Sequence, residues 1–517
     1  MSTVSAFPLP SSARPGTTAR LRDVLLAAGF TADGLLDLLG TPAYAALARG
    51  ETVPALRAAH GDTPLEVLVG LFLLQRTVPR GRAAAVLPLD ECAEAGWLTA
   101  ADGGDVAATV DVRPYGGPGG EDWYVVSDLG RAVGGAGGAA GRDEGPDPAV
   151  VLGVGGASTT LAGLTVRTPV ASALDLGTGC GIQALHASAH ATRVTATDVN
   201  PRALHAAGLT LALSGAHAPE LREGSLFEPV ADRTYDLIVS NPPFVISPGA
   251  RLTYRDGGLG GDDLCRTLVQ QAGDRLADGG YAHFLANWQH VEGEEWTDRL
   301  RSWVPRGCDA WIVQREVQDV TQYAELWLRD AGDHRGDAAA YAARYGAWLD
   351  EFEARKTRAV GLGWITLRKS GSDRPSLTVE EWPHPVEQPL GDTVAAHFRR
   401  QDYLRAHDDA ALLAGSFTLA PEVVQEQVGL PGAEDPEHVV LRQHRGMRRA
   451  TEVDTVGAGF AGVCDGSLSA GRILDAIAQL IGEDPVLLRD RTPAQIRLLI
   501  EQGFLTPTDP ATPQETP

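Results

Sequence analysis

Leu237-Ile238-Val239-Ser240 runs straight into Asn241-Pro242-Pro243-Phe244, and no other stretch restricts the fold as tightly. The apolar run, bounded by turn formers, predicts a buried strand. Two successive prolines carry no backbone N–H and cannot continue a ladder, so the chain must leave its sheet there. It leaves at the strand's carboxyl end, the edge where open α/β sheets bind ligands. Upstream, Ala173-Leu174-Asp175-Leu176 is a second short apolar strand, followed by Gly177-Thr178-Gly179-Cys180-Gly181 and a helix over 182–189. Glycines on a strand-to-helix turn let the backbone approach a ligand and leave helix N–H groups free. The two motifs predict two strands of one sheet, one holding a nucleotide-like cofactor and the other presenting a nitrogen to it.

The strand over 193–197 ends in Asp198, roughly twenty residues after the glycines, where an acid binds ribose hydroxyls. Val199-Asn200-Pro201-Arg202 then starts a helix. With the Asn-Pro-Pro-Phe tetrapeptide, this set resembles class I S-adenosylmethionine-dependent methyltransferases of the amino-methylating kind, including the HemK-like glutamine enzymes. The resemblance implies an α/β fold with a Rossmann-like seven-stranded sheet and S-adenosyl-L-methionine as cofactor. It assigns Asp198 to the ribose, with Val199 beside it. Asp175 goes to the methionine amino group, usually through water, and Gly177, Thr178, Gly179 and Gly181 to the methionine end. Ser225, Leu226 and Phe227 match the segment that lines the adenine ring, with Ser225 standing where the family usually has an aspartate.

An amide or exocyclic amine nitrogen has a delocalised lone pair and attacks poorly until its NH2 group is held in line. Asn241 offers a side-chain oxygen and Pro242 a backbone carbonyl to the two N–H donors. Phe244 can stack on a flat base or amide. Acceleration then comes from positioning and charge stabilisation, without a strong general base. The glycine- and acid-rich stretch over 254–264 is similar to the loop that follows this motif in the release-factor glutamine methyltransferases. Residues 254–261 read as a substrate loop or as a plain surface loop. A last strand is expected over 361–368, so the resemblance covers roughly 150–369. Trp288, Trp296, Trp303 and Trp311 read as core.

At 517 residues the chain exceeds one hydrophobic core. The expected parts are an N-terminal helical, winged-helix-like domain over 1–130, a linker over 131–149, the methyltransferase domain over 150–369, a C-terminal α+β accessory domain over 376–506 and a disordered tail over 507–517. Thr63-Pro64-Leu65-Glu66 predicts a capped helix start. Segments 106–112 and 123–127 alternate as strands, and 150–162 reads as a loop bordering the cofactor pocket or a simple strand turn. In the C-terminal region, strands are expected over 377–382, 416–419 and 438–441, and helices over 394–404 and 470–481. Glu501-Gln502-Gly503-Phe504-Leu505 echoes Glu94-Ala95-Gly96-Trp97-Leu98.

The net charge of -23 argues against binding nucleic acid through bulk charge. A local patch is the exception: Arg442, His444, Arg445, Arg448 and Arg449, with Arg399 and Arg400, form either an RNA contact or a solvated face. Cys92, Cys180, Cys265, Cys308 and Cys464 lack metal or disulfide spacing, so no metal is expected. No run spans a bilayer, no basic-then-apolar leader opens the chain, and a cytoplasmic protein is expected. The sequence thus points to an N-methyltransferase acting on RNA or on protein glutamine. A small metabolite remains open as substrate, as do a non-catalytic cofactor-binding role and a nicotinamide-dependent oxidoreductase. The last would leave 241–244 unexplained.

Overall fold

A computed structural model of the chain describes residues 8–129, 149–249, 259–431 and 436–508. The expected linker over 131–149 apart from Ala149, part of the expected substrate loop (254–258) and the expected disordered tail over 507–517 apart from Pro507 and Thr508 lie outside the described residues; Pro507 instead ends a strand, paired with Phe417. The chain divides into two compact units, Met1–Ala162 with Arg167–Pro383, and Gly163–Val166 with His384–Pro517.

The first unit is built on an eight-stranded sheet. Its strands are β1 (Val170–Leu176), β2 (Ala191–Asp198), β3 (Glu220–Glu223), β4 (Tyr235–Ser240), β5 (Leu276–Val291), β6 (Cys308–Asp319), β7 (Thr357–Lys369) and β8 (Leu377–Glu381). They lie in the order β8-β6-β7-β5-β4-β1-β2-β3. Strands β3-β2-β1-β4-β5 are parallel, while β7 runs antiparallel to both β5 and β6. The strand order reverses direction at β1, so the crevice between β1 and β4 opens at the carboxyl edge. Helices α1 (Ile182–Ser188), α2 (Pro201–Ser214) and α3 (Asp263–Arg275) connect the parallel strands. Leu174, Leu176, Ile238, Phe284, Ile365 and Leu367 are buried in one core cluster, which covers one face of the sheet.

This is the expected seven-stranded sheet with an eighth strand added. The expected strand over 377–382 does not open the C-terminal region; as β8 it pairs in parallel with β6, from Ala310↔Leu377 to Gln314↔Glu381. Trp311 Nε1 donates to Glu380 Oε1 at 2.7 Å across that pair. A short alternating run fixes a strand but not its partner, which is settled by the free edge of β6.

The N-terminal region begins with the helices Pro15–Ala27, Ala32–Ala48, Val53–Ala58 and Pro64–Leu68. The last has the expected capping box, Thr63 accepting from Glu66 N while the Glu66 carboxylate takes the Thr63 N–H. Two short helices, Arg80–Ala84 and Leu89–Glu94, stand between the first strand (Val78–Pro79) and the second (Leu98–Ala100) of a three-stranded sheet, and a hairpin follows. Segment 106–112, expected as one strand, is divided: Asp105–Ala108 joins the sheet and Asp111–Gly116 pairs with Asp122–Ser127. The break falls where Thr109 N bonds Trp97 O at 3.1 Å.

The hairpin is fastened to α2. Tyr124 N donates to Ser214 Oγ at 2.9 Å and Val126 N to Thr210 Oγ1 at 3.0 Å, so helix hydroxyls satisfy an edge strand's N–H groups. Leu209 and Leu213 of α2 are buried in the N-terminal core. Asp128, just past the hairpin, accepts from Arg202 and from Val151 N.

The second unit is α+β, as expected, with helices that include Gly391–Ala406, Ala470–Ile481 and Pro493–Gln502. Its two three-stranded sheets contain Ser416–Leu419 and His438–Gln443. The sequence echo has a structural cause. Gly96 and Gly503 both stop a helix at positive φ, +86° and +83°, and the buried aromatic that follows donates back, Trp97 N to Cys92 O and Phe504 N to Leu499 O. Part of the basic cluster is compensated: Arg442 makes two bonds to Glu426, and Arg445 reaches Glu422 and Glu387. All five cysteines are buried and free. Among the described residues no single helix is long and apolar enough to cross a membrane.

Candidate functional site

Adjacent parallel strands bring the two motifs together. The register pairs Asp175 of β1 with Val239 of β4, so Gly177 and Asn241, each two residues further, leave the sheet at one edge. Ser240 Oγ donates to Leu176 O at 2.7 Å and ties the two strand ends at that point. Nothing in the sequence marked Ser240 except its place before the tetrapeptide.

In the glycine turn Asp175 is buried. Its Oδ2 accepts from Thr178 Oγ1 at 2.6 Å and from Ala184 N at 2.9 Å, so one oxygen holds both the turn and the first turn of α1. Burial pushes its carboxyl up to about 7 against the pull of those two donors. Gly177 N and Thr178 N both donate to Thr197 O at 2.9 Å, fixing the turn to β2. Asp198, at the end of β2, accepts from Gly179 N at 3.0 Å and from Asn200 N at 2.9 Å. Burial raises its carboxyl, with those N–H groups opposing.

The three turn glycines sit at positive φ, +74°, +53° and +83° for Gly177, Gly179 and Gly181. Their surroundings divide them. A Cβ on Gly181 would stand 2.7 Å from Ala207 Cα of α2, so this glycine exists for helix packing. A Cβ on Gly177 or Gly179 would meet nothing within 4 Å. Those two therefore line open room beside the Asp198 carboxylate, a cradle of the kind a bound ligand needs.

Val199 is 49% exposed, an apolar side chain left open at the end of β2. Ser225 is exposed on the turn after β3, and Leu226 is half-buried at φ +49°. Gly224 N bonds Asp198 O at 3.0 Å and so holds this turn next to β2. Phe227 departs from expectation: it is buried in the core with Leu174, Leu176 and Val230, and its ring packs the turn down onto that core. Sequence position alone could not separate these neighbours, because adjacent side chains of an irregular turn can face opposite ways.

Among the described residues nothing hydrogen-bonds the half-buried Asn241 side chain. Pro242 is buried. Phe244 packs against two clusters, the sheet core and a second that holds Val245, Ile246, Tyr323, Trp348 and Phe352. Tyr323 was not anticipated; its hydroxyl accepts from Ile246 N at 3.0 Å and from Asn287 Nδ2 at 2.7 Å. Of the four tryptophans expected as core, Trp288, Trp303 and Trp311 are buried and Trp296 stacks on Trp288. Residues 156–164 form a helix rather than a strand turn, and Gln183 Nε2 donates to Ser158 O at 2.7 Å, which places its start beside the glycine turn.

A cavity of about 670 Å³ lies against Asp262, Gln289, Arg299 and Trp303, with no residue of either motif in its lining. Its charges are internally spent: Arg299 makes two 2.8 Å bonds to Asp262. Among the described residues no group of His, Cys, Asp and Glu could hold a metal.

Residues 156–296 match the family described as the methyltransferase small domain. Residues 27–109 and 395–507 match two families described as domains of unknown function, DUF7059 and DUF7782. The chain is 35% identical over 152 residues to a ribosomal protein uL3 glutamine methyltransferase of Bradyrhizobium diazoefficiens, covering 26% of this chain and 47% of that protein. It is 35% identical over 129 residues to a release factor glutamine methyltransferase of Geobacter sulfurreducens, covering 22% and 45%. The match thus spans just under half the length of these relatives. Among solved structures, a ribosomal protein L11 methylase from Lactobacillus delbrueckii subsp. bulgaricus is 18% identical, with 43% of this chain and 90% of that one covered at a TM-score of 0.24.

Proposed function

We propose that the chain transfers a methyl group from S-adenosyl-L-methionine to a planar nitrogen, first of all the side-chain amide of a protein glutamine. One observation carries this: Asn241, whose side chain has no hydrogen-bond partner among the described residues, leaves β4 at the same edge as the open glycine cradle, and Ser240 ties the two strand ends together. The residues present fit the cofactor. Gly177 and Gly179 would leave room for its methionine end, the Asp198 carboxylate would take the ribose hydroxyls, and Val199 with Leu226 would offer apolar surface to the adenine. When bound, the cofactor supplies an electrophilic methyl group on a sulfonium.

The chain's own part is positional. The Asn241 side-chain oxygen and the Pro242 carbonyl accept the two N–H groups of the incoming nitrogen and turn its lone pair toward the methyl group. The same acceptors stabilise the positive charge that grows on that nitrogen as the new N–C bond replaces the methyl–sulfur bond, and the nitrogen then releases one N–H proton to water, leaving a neutral amide beside a neutral thioether. Phe244, held between two apolar clusters, offers its free face to the flat amide. An acidic chain whose clearest basic cluster is partly compensated suits a neutral amide better than a polyanion. This reading places the protein in the cytoplasm, where translation components are available.

The test is incubation of purified protein with methyl-labelled S-adenosylmethionine and the protein, RNA and small-molecule fractions of a strain lacking the gene. Label should enter the protein fraction and be lost with Asn241→Ala. Label in RNA or in a metabolite would overturn the amide substrate, and transfer undiminished by Asn241→Ala would overturn the site.

A further inference from the structure

We infer that Tyr323 is a positioning residue for the 241–246 segment, an inference that rests on the proposed methyl transfer. The connection between β6 and β7 is a helical pair, α4 (Val320–Asp330) and α5 (Ala338–Ala354). Asp319 caps α4 through Thr321 N and Gln322 N, and Asp337 caps α5 through Ala340 N. The pair turns Tyr323, Leu328, Trp348 and Phe352 onto Val245, Ile246 and Val360.

Within this cluster the Tyr323 ring is edge-on to Trp327 and Phe352, each with centroids 6.0 Å away. A phenylalanine would serve that packing equally well. A buried hydroxyl costs desolvation unless it is bonded, and here it takes two donors from two other elements. Ile246 N–H lies five residues after Asn241 and two after Phe244. Asn287 stands on β5, the strand that pairs with β4 and places Phe284 opposite Ser240. The hydroxyl therefore pins the far end of the catalytic segment to the sheet, while Ser240 Oγ pins its near end. Asn241 and Phe244 lie between the two ties.

Tyr323→Phe removes the far tie and keeps the ring. Initial rates of methylation of the fraction that accepts label give kcat and KM for S-adenosylmethionine, and titration calorimetry gives its Kd. We expect kcat to fall about 10- to 100-fold, the scale of a displacement of about 1 Å, with KM and Kd for the cofactor unchanged. Hydrogen exchange followed by mass spectrometry should show faster exchange at the Ile246 amide and none at the glycine turn. An unchanged kcat beside an inactive Asn241→Ala would sink this inference and leave the proposed function standing. Both variants transferring like the wild type would instead remove the function reading. Should no fraction accept label, the exchange decides alone: an Ile246 amide as protected as before rules the tie out. Parallel losses in kcat, cofactor affinity and melting temperature would mean that the residue merely supports the fold.

Discussion

Alanine at Gly179 and alanine at Gly181 should fail in different ways. Both positions have left-handed backbone, φ +53° and +83°, which costs an L-residue ~1–2 kcal/mol. At Gly181 the new methyl would also stand 2.7 Å from Ala207 Cα and 2.8 Å from its Cβ. A helix backbone cannot give way as a flexible side-chain tip would, and overpacking of this kind adds ~1–3 kcal/mol. Gly181→Ala should therefore lose ~2–5 kcal/mol of stability, and Gly179→Ala only ~1–2. At Gly179 the methyl enters open room beside the Asp198 carboxylate, so the loss falls on the ligand. S-adenosylmethionine should bind Gly179→Ala at least about tenfold more weakly, equivalent to ~1.4 kcal/mol. Chemical denaturation of both variants and calorimetric titration of Gly179→Ala read these quantities. The division of labour among the glycines is refuted by a Gly181→Ala protein no less stable than Gly179→Ala, or by a Gly179→Ala protein that binds the cofactor normally.

Two further outcomes follow from buried carboxylates. Asp175 has its folded-state carboxyl raised from 3.8 to about 7, so the folded chain holds this proton more tightly than the unfolded one. Its contribution to stability is fully present below about pH 4 and is lost as pH rises toward 7. Asp175→Asn should flatten the dependence of the unfolding midpoint on pH across that window; Asp111, raised to about 6, supplies a residual slope of the same sign at its lower end. An unaltered slope would show that Asp175 is not its source. Arg202→Ala should cost ~3 kcal/mol, because Asp128 is left buried without its two-pronged partner. The Arg202→Ala, Asp128→Asn double variant should recover part of the loss, and equal stability of single and double variants would count against a charge penalty.

The local grammar of the chain was legible because its energetics reach only a few residues. Thr63 and Glu66 cap one helix three residues apart, the stretch 470–481 repeats its apolar face every turn, and glycines at 177, 179 and 181 can only be a tight turn. The two prolines after Ser240 likewise had to end a strand at the edge where the site lies. Long-range choices were another matter. Strand 377–381 could have paired in either unit, and the free edge of β6 took it. Segment 106–112 alternates as one strand, yet Thr109 anchors to Trp97 and the halves join different sheets. Phe227 looked like a wall of the adenine site, and the core claimed it.

The sequence by itself determined the two motif strands, the turn, the acid at the end of β2 and the tetrapeptide, because each is written in contiguous residues whose backbone preferences leave little freedom. Tertiary structure decided which of those side chains face the open edge and what holds them there. Tyr323 reaches Ile246 across 77 positions of chain, and Ser240 reaches Leu176 across 64. Such bonds form because folding excludes water from both partners and leaves each buried polar group only other buried groups to satisfy it, a condition that no spacing along the chain encodes.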